Sequence, residues 1–133
     1  MSERVFFYGT LRTGFNRTTR AGVDASLKFS GNGWISGKLF DLGLYPAAVP
    51  ASDARVFGVV FEITDPPVVL EALDRIEGYL PAEPERSLYN RVQVPATLED
   101  GRIEAVWVYF YNAPLGRAPR IHSGNYIEHL KAK

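Results

Sequence analysis

Residues 70–79 read LEALDRIEGY, a stretch typical of an amphipathic helix that ends at a glycine. With roughly 100° per residue, one apolar arc of the helical wheel holds the residues Val69, Leu70, Leu73 and Ile76. The other charged residues of the stretch fall outside this arc: Glu71, Asp74 and Arg75. Glu77 projects into the arc, and Gly78 follows as the residue typical of the position after a helix end. The stretch therefore predicts a helix that packs on a core with one acidic residue on the packed side.

Glu77 is the candidate catalytic residue that follows from this placement. A helix C-terminus carries partial negative charge, so a carboxylate there is disfavoured. A carboxyl group held against an apolar face and a negative dipole end should keep its proton more tightly than usual, which suits a general acid/base near neutral pH. The alternative is a solvated glutamate whose long side chain reaches water, and the helical pattern leaves both interpretations open.

Strand patterns dominate the rest of the chain. Apolar or alternating runs predict strands at residues 5–8, about 27–40, 55–63, 89–98 and 103–111, with a short extended piece at 47–49. Asp100-Gly101 predicts a hairpin turn between the last two strands, and Gly31-Asn32-Gly33 predicts a tight turn that breaks the second one.

Helices are predicted to be few and short. Residues 16–22 and the segment from Tyr126 onwards have short helical patterns. Thr64 or Asp65 is the candidate cap of the helix that ends near Glu77. Short strands that must protect their edges often close into a barrel. We therefore predict one α+β domain over residues 1–133: a small, mixed, partly closed β-barrel of about five to six strands with two or three flanking short helices.

The composition excludes several classes of function. The chain carries 15 basic and 15 acidic residues without a basic block, so nothing favours nucleic acid or an anionic membrane surface as a partner. No apolar run approaches the length of a membrane span, and the first residues lack a signal-peptide pattern, so a cytoplasmic location is expected. With no cysteine and only His122 and His129 as histidines, neither a metal site nor a thiol nucleophile is expected.

The motif Tyr8-Gly9-Thr10-Leu11 follows the first predicted strand. A glycine directly after a buried strand lets the backbone turn sharply or approach a ligand closely. Successive backbone N–H groups in such a turn can bind a carboxylate or an oxyanion. A plain turn at a strand end is the alternative, and the motif alone favours it.

Three other short segments are candidate pocket walls. Tyr45 lies in a loop that two prolines make rigid, residues 44–50. Tyr89 and Arg91 begin a strand after an acidic loop, and Tyr126 follows a predicted turn at Gly124. In each case a packed or solvated structural role is the alternative.

Taken together and in order, these segments resemble the gamma-glutamylcyclotransferase-like superfamily. The motifs that carry the resemblance are VFFYGTL (5–11), GKLF (37–40) with YPA (45–47), VFGVVFEI (56–63), LDRIEG (73–78), YNR (89–91) and SGNY (123–126). They span nearly the whole chain, and the branch they resemble is that of the avirulence-induced-gene-like proteins and gamma-glutamylamine cyclotransferases.

The resemblance implies a cyclotransferase that converts a gamma-glutamyl amine or peptide to 5-oxoproline and a free amine, without metal or cofactor. It implies that Glu77 is the catalytic acid/base. It also implies a substrate-binding set, in which the backbone of the first four forms a cradle: Tyr8, Gly9, Thr10, Leu11, Tyr45, Tyr89, Arg91 and Tyr126. Thr10 stands where serine is common, a mild change because the backbone would do the binding.

These motifs leave other functions open. A non-catalytic module that binds a small ligand would keep the cradle, and a gamma-glutamyl hydrolase or amidotransferase would use water or another amine. The leaving amine also differs between branches of the superfamily: a short peptide, glutathione, an isopeptide lysine or an acylated antibiotic intermediate.

Overall fold

The computed structural model describes residues 3–8, 26–43 and 45–132. The strands in this part of the chain are β1 (Glu3–Phe7), β2 (Leu27–Ser36), β3 (Lys38–Asp41), β4 (Pro46–Val49), β5 (Arg55–Ile63), β6 (Tyr89–Leu98), β7 (Ile103–Tyr111) and β8 (Arg120–Ile121). The α-helices there are α1 (Pro66–Glu77) and α2 (Tyr126–Lys131), and Pro84–Arg86 forms one 3₁₀ turn. The short helix predicted at residues 16–22 lies outside the described residues.

Five of these strands close into a barrel in the order β1-β5-β2-β6-β7. The barrel is mixed, because β1 pairs antiparallel with β5 and parallel with β7, where Val5 lies opposite Trp107. The other three described strands form a second sheet in the order β4-β3-β8. The predicted fold class, α+β with a small mixed barrel and flanking helices, is confirmed. The second sheet was not separated from the barrel by the sequence pattern.

The prediction of a tight turn at Gly31-Asn32-Gly33 is wrong. β2 runs through these residues, with an irregularity in register between Phe29 and Gly31. A Cβ on Gly33 would lie 2.4 Å from the carbonyl oxygen of Thr97, so glycine is needed there for close approach of β2 and β6. The break in the predicted second strand lies instead at Gly37, where the chain passes from the barrel to the second sheet.

The hairpin predicted at Asp100-Gly101 is confirmed. β6 and β7 pair antiparallel from Tyr89 opposite Tyr111 to Thr97 opposite Ile103. Gly101 has φ 92°, a left-handed conformation that glycine adopts without strain.

The predicted helix at the centre of the chain is also confirmed, as α1. Asp65 occupies the N-cap position at φ 56°, but its side chain makes no capping hydrogen bond, so the helix begins without the predicted side-chain cap. Gly78 closes α1 with φ 68°, as the sequence indicates.

Two hydrophobic clusters pack on opposite sides of the barrel wall. The inner cluster includes Phe6 and Tyr8. The outer cluster lies under α1 and includes Val5 and Phe7, so successive residues of β1 alternate between the two. Within the described residues, no helix has the length and apolar character needed to cross a membrane.

Candidate active site

Tyr8 follows the last residue of β1 and lies at the inner side of the barrel wall. Its hydroxyl donates to the backbone carbonyl of Tyr109 at 2.5 Å and accepts from the backbone N–H of Ala48 at 3.4 Å. Burial raises the pKa of Tyr8 well above its usual value, and charge at Tyr89 and Glu77 raises it further. The hydroxyl is therefore held neutral as a hydrogen-bonded group.

Gly9, Thr10 and Leu11, the rest of the predicted backbone cradle, lie outside the described residues. Their role in binding stays a prediction. Tyr8 is the described residue directly before this segment.

Glu77 is the last residue of α1 and is half-buried. The backbone N–H groups of Gly78 and Tyr79 both donate to the carbonyl of Asp74, which fixes the turn directly after it. Charge at Glu77 contributes to the raised pKa values of Tyr8 and Tyr109. The charge of this carboxyl group therefore reaches both tyrosine side chains, and a catalytic role for Glu77 stays a prediction.

Tyr89 and Tyr45 form an aromatic wall beside this point. Tyr89 is buried, and its hydroxyl donates to the carbonyl of Pro46 at 2.8 Å. Its ring lies 6.3 Å from that of Tyr45 and 5.2 Å from that of Tyr111. The hydroxyls of Tyr89 and Tyr8 both contact the backbone of β4, so the wall and Tyr8 meet at the same strand.

Tyr126 and Arg91, two other predicted site residues, have different surroundings. Tyr126 begins α2, is buried in the inner cluster and stacks against His129 at 6.4 Å. Arg91 directs its guanidinium to Asp74, with Nε 2.9 Å from Oδ1 and an Nη 3.4 Å from Oδ2. A substrate contact for either residue stays a prediction.

Asp74 corrects the sequence analysis, which placed this residue outside the packed face of α1. It is only 8% exposed, and it accepts a hydrogen bond from the hydroxyl of Tyr109 at 2.6 Å besides its ion pair with Arg91. The sequence pattern of β7 gives no signal of a site role for Tyr109. Helical spacing contained a signal for Asp74, because it lies four residues after Leu70 and therefore on the same face.

Comparisons with known proteins agree with this architecture. YkqA from Bacillus subtilis superposes with a TM-score of 0.72 at 24% identity, covering 100% of this chain, which spans 44% of the length of YkqA. An AIG2-like protein from Mus musculus gives a TM-score of 0.70 at 21% identity, over 91% of this chain and 86% of its own. A structure named gamma-glutamyl cyclotransferase gives 0.63 at 18% identity, over 90% of this chain and 70% of its own.

These likenesses establish the fold. No curated protein sequence matches the chain significantly. A family model described as "Gamma-glutamyl cyclotransferase, AIG2-like" matches residues 5–128, nearly the whole chain. The chain therefore belongs to the gamma-glutamyl cyclotransferase, AIG2-like family.

Proposed function

We propose that this protein cyclises a gamma-glutamyl amine to 5-oxoproline and releases the free amine, with Glu77 as the general acid/base. Family membership supports the reaction type. The single observation that carries the role of Glu77 is its half-buried position at the end of α1, from which its charge helps raise the pKa of Tyr8, the residue immediately before Gly9. An acid group whose charge reaches Tyr8 suits the proton transfers that this reaction requires.

The chemistry is an intramolecular acyl transfer. The α-amine of the glutamyl group attacks its own γ-carbonyl carbon, a C–N bond of the lactam forms, and the C–N bond to the leaving amine breaks. Because the nucleophile is already tethered, orientation supplies much of the rate acceleration. No electrons are transferred to or from an acceptor, so the reaction balances without a redox cofactor.

Glu77 moves the protons in this scheme. It takes a proton from the attacking α-amine and delivers it to the leaving amine, a role worth on the order of 10² to 10⁴ in rate. The backbone amides of Gly9, Thr10 and Leu11 bind the α-carboxylate of the substrate or the developing oxyanion. Tyr45 and Tyr89 line the pocket, an assignment supported by the 6.3 Å spacing of their rings and by the hydroxyl contacts of Tyr89 and Tyr8 with β4.

The test is an assay of the purified protein against a panel of gamma-glutamyl compounds: short peptides, glutathione, gamma-glutamyl-lysine and simple gamma-glutamyl amines. We expect 5-oxoproline and free amine in equal amounts from at least one class, above the spontaneous cyclisation seen with heat-inactivated protein. Release of free glutamate would instead indicate a hydrolase. Saturable binding of a panel member without any product would indicate a binding module, and either outcome would refute the proposal.

A further inference from the structure

Three elements meet at the carboxylate of Asp74. It lies on α1 and binds Tyr109 of β7 through one oxygen and Arg91 of β6 through both. Asp74 and Tyr109 are buried, and the side chain of Arg91 is only 17% exposed. Charge-assisted hydrogen bonds shielded from water in this way are stronger and more directional than those at a surface.

Arg91 contacts the chain on both sides of Glu77. Arg91 pairs with Asp74, which lies three residues before Glu77. Its guanidinium also lies 5.5 Å from the ring centroid of Tyr79, which lies two residues after Glu77. On the barrel the same guanidinium lies 4.5 Å from the ring centroid of Trp107. A planar cation held by a carboxylate and two aromatic rings has little freedom to move. It therefore ties the last turn of α1 to the barrel wall.

Tyr109 extends this connection to β1. Its hydroxyl donates to Asp74, while its backbone carbonyl accepts from the hydroxyl of Tyr8. A continuous set of contacts thus runs from α1 through β7 to the end of β1. Glu77 acts electrostatically on the hydroxyls at both Tyr8 and Tyr109.

We propose that Asp74, Arg91 and Tyr109 form a positioning network that fixes the last turn of α1, and with it Glu77, on the barrel wall. The inference rests on the proposed function of Glu77. In this network Arg91 acts through Asp74 and Tyr79, a role that replaces the substrate contact implied by the resemblance. Misplacing an acid/base group by about 1 Å can cost on the order of 10²-fold in rate, so the network contributes to kcat.

The kinetic test compares Tyr109→Phe, Arg91→Gln and Arg91→Lys with the wild-type protein. We expect kcat to fall by about 10- to 100-fold in Tyr109→Phe and Arg91→Gln, with KM nearly unchanged. Arg91→Lys keeps the charge but loses the two-pronged geometry, so its kcat should lie between those of Arg91→Gln and the wild type. Arg75→Gln, which removes an exposed arginine from the same helix, serves as the control and should retain full activity.

A raised KM at unchanged kcat in Arg91→Gln would show a substrate contact and overturn the proposal. So would wild-type kcat in all three variants.

Amide exchange gives a second readout that needs no activity. The N–H groups of Gly78 and Tyr79 should exchange faster in each network variant, while that of Gly37, which donates to Ala54, should not change. If the wild-type protein releases no 5-oxoproline, the proposed function fails and this readout alone decides the network. Unchanged protection at Gly78 and Tyr79 would then refute the positioning network itself.

Discussion

Each of the two faces of α1 carries an ion pair between a carboxylate and an arginine, but one pair is shielded from water and the other is exposed. On the face towards the barrel, Asp74 and Arg91 have side chains that are 11% and 17% exposed, and Tyr109 adds a hydrogen bond. On the outer face, Glu71 and Arg75 pair one turn apart with side chains that are 67% and 75% exposed. Each pair joins a carboxylate to an arginine, so the difference in environment is the informative variable.

Burial changes what such a pair contributes. An exposed pair within a helix is screened by water and salt and contributes at most about 1 kcal/mol. In a shielded pair, removal of one partner leaves the other charge without compensation, which is strongly destabilising. The inner pair also bridges α1 to β6, whereas the outer pair joins α1 only to itself. Only the inner pair can transmit a change to the barrel.

The largest expected effect on stability comes from Asp74→Ala. It leaves Arg91 partly buried without its carboxylate and Tyr109 without its acceptor. We expect a loss of about 3 kcal/mol in the free energy of unfolding, near the low end for a broken buried pair because Arg91 retains some exposure. Urea denaturation measures it. Glu71→Ala, the matched control, should change stability by no more than about 0.5 kcal/mol. Equal losses of unfolding free energy in the two variants would show that the shielded pair contributes no more to stability than the exposed one.

The pH dependence of stability tests the buried side of this comparison. Burial, followed by the hydrogen bond to Asp74, raises the pKa of Tyr109, and burial with charge at Tyr89 and Glu77 raises that of Tyr8. In the unfolded chain both tyrosines ionise near pH 10, so above it the unfolded state releases protons that the folded state keeps. Their stabilising effect is therefore complete below about pH 10 and is lost as the pH rises further.

We expect the free energy of unfolding to fall by about 1.4 kcal/mol per pH unit for each of these two tyrosines above about pH 10. Urea midpoints from about pH 9 to about pH 11 measure the slope. In Tyr109→Phe the slope should be shallower by about 1.4 kcal/mol per pH unit, because one of the two tyrosines no longer titrates. An identical slope in this variant would mean that Tyr109 is not held neutral by its position under α1.

A smaller effect is expected where α1 ends. Gly78 has φ 68°, and an added Cβ would lie 3.2 Å from the Cβ of Leu88. Gly78→Ala should therefore cost about 1 kcal/mol, the penalty of a left-handed non-glycine residue. Thermal unfolding checks this, with Gly116→Ala as a reference: Gly116 has φ 59°, but nothing lies within 4 Å of an added Cβ. A larger loss in Gly78→Ala than in Gly116→Ala would measure the contact with Leu88.

Most of the fold was predictable from the sequence because helices and hairpin turns depend on the spacing of neighbouring residues. The burial of Val69, Leu70 and Leu73 follows from the helical period, and the β6–β7 hairpin follows from Asp100-Gly101. The error at residues 31–33 has a nonlocal cause. Gly-Asn-Gly is the same local signal whether the chain turns or whether another strand approaches closely. Only the position of Thr97, far along the chain, decides between them.

The candidate site was predictable to a lesser degree. Motif order indicated Tyr8 and Glu77, and the contribution of Glu77 to the raised pKa of Tyr8 is consistent with that prediction. The network around Asp74 was missed because its partners Arg91 and Tyr109 lie 17 and 35 positions away, beyond the reach of any helical or strand period. The spacing from Leu70 indicated that Asp74 lies beside the packed face of α1, but only the positions of β6 and β7 show what its carboxylate binds.

The role of Glu77 is tested most directly by steady-state release of 5-oxoproline from Glu77→Gln, with Glu71→Gln as the matched control on the outer face of α1. Each substitution replaces a carboxylate with an amide of nearly the same size. We predict that Glu77→Gln lowers kcat by about 10² to 10⁴ while its urea midpoint stays near that of the wild type, and that Glu71→Gln keeps wild-type kcat. A Glu77→Gln protein that turns over the same substrate at the wild-type rate would contradict the assignment of Glu77 as the proton carrier.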